Sequence, residues 1–434
     1  MSFVYLFERF PSFVQTFVYR EAVEMVRQGM APMLVSIRRP DDPVELAEAL
    51  NLEIFYASEE KQLRAEVDAM REQGKLSWRA RRAIPRRRKE QDSQRMFEAI
   101  WLEPHLKKTG FRHVHAHFGG VAARTAWWLR HLFGFRYSFT GHANDIFCEN
   151  DFPISNGDLV HDAEFVVTET DYARLWMEEK HPSARGKVFR VFNGIDLNGF
   201  PSSRAKSGTG ILPVTQDASS ISRIISIGRA VEKKGFSDLI EACRLLRTEG
   251  LRFTCDIIGR GPLEEKLQAQ IEREGLRESV RLLGPIQQFE LRQRLAQARL
   301  FVLACVPEQD GGSDNLPTVI MEAMACGVPV VATRLAGVPE MICDGSEGFL
   351  VAPRDPPALA QAMAKLLRDS SLARAMGEKG RATAEKKFSI ENTTRMLKRL
   401  FVERALVSPP ATACLADPQM RVPSFLKQIR KIWR

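Results

Sequence analysis

Short runs rich in β-branched and aromatic residues alternate along the chain with longer stretches whose apolar residues recur every three or four positions. In the first half MSFVYLF, APMLVSI, HVHAHF, RYSFTG, AEFVVT and KVFRVF read as strands, with PSFVQTFVYREAVEMVRQG as a helix between the first two. The second half repeats the scheme with RIISIG, FTCDIIG, SVRLLG, RLFVLAC and VPVVAT. Such alternation predicts parallel sheets covered by helices on both faces, so the fold class is α/β, twice over. Between the halves, Pro201 to Ser222 is rich in Ser, Gly and Thr, lacks a helical period, and reads as a linker or surface insertion.

Two stretches depart from plain patterning. In SDNLPTVIMEAMACGVPVVAT (313–333), Pro317 suits a first helical position and Gly327 the residue just past the end, which predicts a helix of about ten residues. It is apolar nearly all round, through Val319, Ile320, Met321, Ala323, Met324 and Ala325, so it is expected to be buried. Glu322 sits in its middle. A carboxylate taken out of water without a partner is costly, so this one is expected to meet a ligand. Ser313, Asp314 and Asn315 precede the helix, where backbone N–H groups and the helix dipole suit an anion such as a phosphate. In IISIGRAVEKKGFSDLI (224–240), a strand ends at Gly228 and a loop carries Arg229 and Lys234 before Gly235 opens a helix. That loop is either a grip for a diphosphate, Arg by paired hydrogen bonds and Lys as a point charge, or a basic surface turn.

Composition narrows the class. At 434 residues the chain exceeds the roughly 250–300 that one core accommodates, so two domains are expected. The longest apolar stretch, Leu316 to Ala332, is interrupted by Pro317, Glu322, Gly327 and Pro329, whereas a bilayer span needs about 20 mostly apolar residues. No transmembrane helix is expected, and MSFVYLFERF lacks the ordered regions of a secretory signal. Seven cysteines without a C-x-x-C pair point to a reducing compartment, by default the cytoplasm. The net charge of +9 is concentrated in RARRAIPRRRK (79–89), which suits a solvated segment, a nucleic acid or an anionic membrane. Nucleic acid is disfavoured because stacking aromatics are not interleaved among the basic residues. His113, His115 and His117 alternate along one strand and so can share a face, which is also how a metal site begins. No Cys or carboxylate lies near in sequence to complete a shell, so a metal there is disfavoured. Gly119 and Gly120 follow, small enough for a ligand to come close.

Together these stretches resemble the retaining family-4 glycosyltransferases (glycosyl transferases group 1). The family's acidic pair E-x7-E maps to Asp314 and Glu322, with Asp314 one methylene shorter than the usual Glu. Its G-R-x-x-x-x-K-G pattern is matched at Gly228, Arg229, Lys234 and Gly235, and its G-x-G-P turn at Gly259, Arg260, Gly261 and Pro262. NGID (193–196) resembles the hinge before the donor domain, and FTGHANDIF and FRHVHAHFGG resemble a subgroup that builds exopolysaccharides and colanic-acid-like polymers.

The resemblance implies two facing Rossmann-like domains, the GT-B fold, with the active site in the cleft between them. It divides the chain into an acceptor-binding domain (1–200), a linker or insertion (201–222), a nucleotide-sugar-binding domain (223–388), a helix returning to the first domain (389–407) and a basic tail (408–434). It implies catalytic roles for His142, Asp314 and Glu322. Donor contacts would come from Gly228, Arg229, Lys234, Gly259, Arg260, Asn315, Leu316, Thr318 and Glu322. His115, His117, Gly119 and Gly120 would line the acceptor side. The implied reaction moves a sugar, with retention of anomeric configuration, from a UDP- or GDP-linked donor to a saccharide or lipid-linked acceptor. Neither a metal nor a cofactor is implied. The place of action is the cytoplasm, against the inner face of the membrane if the basic segments dock there. The tail SFLKQIRKIWR can form a helix with Phe425, Leu426, Ile429, Ile432 and Trp433 on one face. A silent nucleotide-sugar sensor, or an epimerase or hydrolase of the same fold, is the alternative.

Overall fold

The computed structural model describes residues 3–12, 15–41, 52–148, 152–200, 221–308 and 314–405. The first half forms a seven-stranded sheet of β1 (Val4–Arg9), β2 (Met33–Arg38), β3 (Ile54–Tyr56), β4 (His113–His117), β5 (Arg136–Gly141), β6 (Val166–Thr168) and β7 (Val188–Arg190). The second forms a six-stranded sheet of β8 (Ser222–Ile227), β9 (Phe253–Ile258), β10 (Val280–Leu283), β11 (Leu300–Leu303), β12 (Val330–Thr333) and β13 (Gly348–Val351). Every neighbouring pair is parallel. The runs named from the sequence all form strands. Two strands were not named: β3 is three half-buried residues, and β13 opens on a glycine, so neither presents a long apolar run.

The spatial orders are β3-β2-β1-β4-β5-β6-β7 and β10-β9-β8-β11-β12-β13. Each sheet winds outward from its first strand and then returns to that strand's other side, so the order reverses between β1 and β4 and between β8 and β11. In open parallel sheets, ligands bind in the crevice beyond the strand ends at such a reversal. The loops placed there are those after β1 and β4, which include Phe118, Gly119 and Gly120, and those after β8 and β11, which include Arg229, Lys234 and Asp314.

The chain passes between the halves twice, and the two passages are tied together. Ile195 N–H donates to Phe388 O at 2.8 Å, and Ile390 N–H donates to Ile195 O at 3.0 Å. The helix Ile390–Leu400 then packs on the helix Thr16–Arg27, next to β1. Leu397, Leu400 and Phe401 join Phe3, Tyr5 and Phe165 in one apolar cluster, where the Phe401 ring stacks on Phe3 at 4.4 Å.

The basic run 79–89 begins with the helix Trp78–Arg87, capped by Ser77, whose Oγ accepts from Ala80 N–H at 3.2 Å. Ala80 and Ile84 are buried while Trp78 is 63% exposed. No described helix is long and apolar enough to cross a membrane. The linker from 201 to 220 and the tail from 406 on, with its expected amphipathic helix, lie outside the described residues.

Phe401 is fully buried in a cluster drawn from both ends of the chain. Phe401→Ala should therefore cost about 3–5 kcal/mol in chemical denaturation, as for other large-to-small changes at closed sites. A loss below about 1 kcal/mol would mean that the returning helix does not seal this core.

Candidate active site in the cleft between the sheets

The loop after β8 is shaped by close backbone approach. Gly235 has φ +62, and a Cβ there would strike the Ala304 carbonyl oxygen, so only glycine fits this start of the helix Phe236–Thr248. Gly259, with φ +134, lies against the Gly228 carbonyl in the same way. Gly228 in turn leaves room for the aliphatic stem of Lys234, whose Cδ and Cε would stand 3.0 Å from an added Cβ. Lys234 is thus laid inward, while Arg229 is exposed at the loop's edge.

Lys234 Nζ forms an ion pair with the Asp314 carboxylate, which also accepts from Cys305 Sγ at 3.5 Å. Burial pushes the Lys234 ammonium towards losing its proton, but the Asp314 carboxylate outweighs that, and the group is held above its ordinary value. The sequence assigned these residues to opposite ends of a donor, Lys234 to the diphosphate and Asp314 to the sugar. In the structure they meet.

The helix that follows covers Thr318–Ala325, with Pro317 as its N-cap rather than its first helical residue. It is eight residues long, shorter than the pattern predicted, because Pro317 holds ψ 107 outside helical geometry. Gly327, with φ +71, lies just beyond its C-cap Cys326, as expected. Glu322 is 9% exposed, and its partner comes partly from the chain itself: Arg20 Nη1 stands 3.8 Å away, on the helix Thr16–Arg27 of the other domain. Burial pushes the Glu322 carboxyl up, against the pull of Arg20 and of Arg292 on the helix Gln288–Ala296. At 3.8 Å the Arg20 contact is Coulombic and not a hydrogen bond, so the oxygens keep acceptor capacity for a ligand.

Not every expected donor contact is gathered here. Leu316 is buried in the apolar cluster with Ile320 and Met321. Thr318 is half-buried at the first turn, where its N–H lacks an intrahelical acceptor. The Asn315 side chain is engaged between domains: Thr170 Oγ1 donates to its Oδ1 at 2.7 Å and its Nδ2 donates to Glu169 at 3.2 Å. Arg260 stays on the rim, its side chain 72% exposed and 3.8 Å from Glu264.

On the opposite wall, the histidines divide. His115 is fully buried, with Nδ1 against Ser138 Oγ at 2.8 Å and Nε2 against Thr140 Oγ1 at 3.0 Å. It is a satisfied core residue under Phe401, and the expectation that it faces an acceptor is corrected. His117 and His142 are instead joined through their Nε2 atoms at 2.9 Å. From there a chain of hydrogen bonds runs in both directions. His142 Nδ1 meets Glu169 Oε1 at 2.7 Å, and His117 Nδ1 meets Tyr5 Oη at 2.9 Å, with the Tyr5 hydroxyl donating to Glu21.

Burial pushes His142 towards neutrality, but the Glu169 carboxylate overrides it and holds the imidazole above its ordinary range. His117, with burial and a cationic neighbour acting together, is held well below. One arrangement of protons satisfies the whole chain. Cationic His142 donates to both Glu169 and neutral His117, which donates to Tyr5, which donates to Glu21. Both ring nitrogens of His142 are thus engaged within the protein.

Between the ends of β1 and β4 lies a cavity of about 550 Å³ lined by Phe7, Arg9, Phe118, Gly120 and Asp145, among others. Gly120 reaches it, whereas Gly119 packs behind, its Cα position facing Asp145 and Phe139. Phe118 holds φ +75, a left-handed conformation unusual for a bulky residue, and places its ring 4.6 Å from that of His142. Sequence reasoning missed Glu169, Tyr5, Glu21, Arg20 and Arg292. None belongs to a local pattern, and each gains its meaning from a partner far along the chain.

Residues 219–383 match the model of a family described as glycosyl transferases group 1. This stretch is a glycosyl transferases group 1 domain. Similar proteins include the glycosyltransferase WcaL of Escherichia coli K12, named for colanic acid biosynthesis, 41% identical over 141 residues, which are 32% of this chain and 35% of that one. The amylovoran biosynthesis glycosyltransferase AmsK of Erwinia amylovora is 35% identical over 179 residues, 41% of this chain and 44% of that one. The matched stretches thus span less than half the length of these relatives. Across both domains, the solved structure of Anabaena Alr3699/HepE in complex with UDP superposes with a TM-score of 0.63 at 16% identity, covering 93% of this chain and 100% of that one. The likeness extends the GT-B fold from the group 1 domain to the first sheet.

Glu21, at the end of the hydrogen-bonded chain, is pushed by burial from 4.5 to about 7. Between those values the folded protein keeps a proton that the unfolded chain releases, so this group's contribution to stability is lost as pH rises through that window. Glu98, buried beside Arg95, is raised to about 7 and adds to the same slope. Glu21→Gln should therefore gain in unfolding free energy relative to the parent, measured by chemical denaturation, as pH goes from about 5 to about 8, by an amount on the order of 1–3 kcal/mol. An unchanged difference across that range would show that Glu21 is ionised throughout.

Proposed function

We propose that the protein transfers a sugar from a nucleotide-sugar donor to a saccharide or lipid-linked acceptor, with retention of configuration, in exopolysaccharide synthesis. The observation that carries this is the Lys234–Asp314 ion pair in a group 1 domain, with Arg229 on the same loop as Lys234 and Glu322 on the helix that follows Asp314. The names of WcaL and AmsK support the exopolysaccharide setting, and the UDP complex of HepE supports a nucleoside diphosphate as leaving group.

In such a transfer, positive charge grows on the sugar while a diphosphate departs with growing negative charge. Arg229 and Lys234 meet the diphosphate, together with the N–H groups that open the helix Thr318–Ala325. To admit phosphate, Lys234 exchanges part of its pairing with Asp314, which frees that carboxylate for the sugar hydroxyls. Glu322 accepts from donor hydroxyls, most simply those of the ribose, with Arg20 favouring its ionised form against the effect of burial. The cavity between β1 and β4 takes the acceptor, and cationic His142 adds to the field that stabilises the leaving group. The acceptor attacks on the face that the diphosphate leaves, so no covalent glycosyl-enzyme forms.

A screen of UDP-, GDP- and ADP-sugars with lipid-linked and saccharide acceptors tests the reading directly. Arg229→Ala and Lys234→Ala should each lose about a hundredfold or more in kcat, roughly 3 kcal/mol of transition-state stabilisation, with far smaller effects on folding. Activity should survive EDTA. Complete loss in EDTA restored by Mg²⁺ would move the leaving-group role from these cations to a metal, and binding without any transfer would favour a nucleotide-sugar sensor.

The exposed face of the helix Trp78–Arg87 suits an anionic membrane. Trp78 stands beside Arg79, Arg81, Arg82 and Arg86, and none of these arginines has an ion-pair partner among the described residues. Vesicles containing anionic lipid should float the protein at low salt, and exchanging Arg79, Arg82 and Arg86 for Glu should abolish flotation. Equal flotation of parent and variant would remove this helix from the membrane contact.

A further inference from the structure

One buried carboxylate is shared by three separate parts of the chain. Glu169, 5% exposed after β6, accepts from His142 Nδ1 at 2.7 Å, from Asn193 Nδ2 in the passage between the domains, and from Asn315 Nδ2 at 3.2 Å in the loop beside Asp314. The residues that follow it hold the same joint. Thr170 Oγ1 donates to Asn315 at 2.7 Å, and the N–H groups of Asp171 and Tyr172 donate to Glu340 of the second domain at 2.8 and 2.7 Å. A Cβ on Gly337 would collide with Thr170, so the two surfaces are packed with no slack. Glu340 thus caps the N-terminus of the helix Asp171–Lys180 from across the cleft.

We propose that Glu169 is a positioning residue that makes the charge on His142 depend on closure of the cleft. With the domains together, Glu169 is dry, its remaining acceptor capacity filled by the two asparagines, and its charge acts on His142 at low dielectric. When Asn315 and Glu340 withdraw, water reaches the carboxylate and weakens its hold on the imidazole proton. The other groups facing His142 are Asp145 in its own turn, His117 from β4 and Glu21 from the helix Thr16–Arg27, all within the first domain. Among the described residues, only Glu169 links the imidazole to the second domain by hydrogen bonds. By reciprocity, a proton on His142 favours the closed form. The link to catalysis rests on the glycosyl-transfer reading; the link between closure and charge does not.

The test follows the His142 imidazole by NMR of histidine-labelled protein over a pH titration, in the parent, Glu169→Gln, Glu169→Asp and Glu340→Ala. In Glu169→Gln the imidazole should lose its proton tenfold or more too easily, whereas Glu169→Asp should keep most of the raised titration. Glu340→Ala leaves every neighbour of His142 in place and should still lower its titration by loosening closure. If Glu169→Gln fails to fold, the Asp and Glu340 variants carry the decision. Adding UDP should raise the titration in the parent, and less so in Glu340→Ala. An imidazole that titrates identically in the parent and Glu340→Ala, with scattering profiles showing that closure has changed, overturns the proposal. Failure of UDP to bind the parent counts against the nucleotide-sugar reading, while the titrations without UDP still decide this one.

Discussion

Charge buried between two sheets has to be balanced, and here the balance comes from both walls of the cleft. Glu322 lies on a helix of the second domain and faces Arg20 of the first. His142 and Glu169 belong to the first domain and reach Asn315 of the second. Lys234 and Asp314 balance within the second domain, across two different loops, as His142 and Glu169 do within the first. An isolated second domain would leave Glu322 without Arg20. The cleft is therefore a joint whose closed geometry is held by the same charges that a ligand would use.

Topology explains why those loops are the ones involved. Both sheets reverse direction beside their first strand, so the first and fourth connections of each half splay apart and open a crevice. In the second sheet that crevice is floored by glycines in near contact with carbonyl groups, which leaves the Lys234 side chain nowhere to go but along the loop towards Asp314. In the first sheet the corresponding place is taken by aromatic rings and imidazoles, with Phe118 held in an unfavourable backbone conformation between the cavity and His142. One crevice carries Arg229 and the Lys234–Asp314 pair; the other is flanked by rings.

The legible part of this structure is the part whose meaning is local. Strand and helix runs, the glycine-bounded loop at 228–235 and the buried helix with its one acid could each be recognised within about twenty residues, because backbone geometry and burial act at that range. The alternation of His113, His115 and His117 was legible too, yet it could not separate a core imidazole from one on the cleft. That distinction depends on Ser138 and Thr140 from the neighbouring strand, which satisfy His115 and leave His117 to Tyr5 and His142. Glu169 lies in an ordinary polar turn after a three-residue strand, and its partners are 27, 24 and 146 residues away. Nothing in its vicinity marks it.

The double passage between the domains also sets an order of events during synthesis. Phe3, Tyr5 and Phe165 belong to the first half, but their core is closed by Leu397, Leu400 and Phe401 from the last described helix. A ribosome that has finished the first sheet must add roughly 200 further residues before that lid exists, about 10–40 s at ordinary elongation rates. During that interval an apolar face of the first domain is open to other chains. The second domain, continuous in sequence from β8 to β13, has no such wait. The half that carries the histidines is thus the last to be completed, and its exposure to misassembly ends only when the chain comes back to its own beginning.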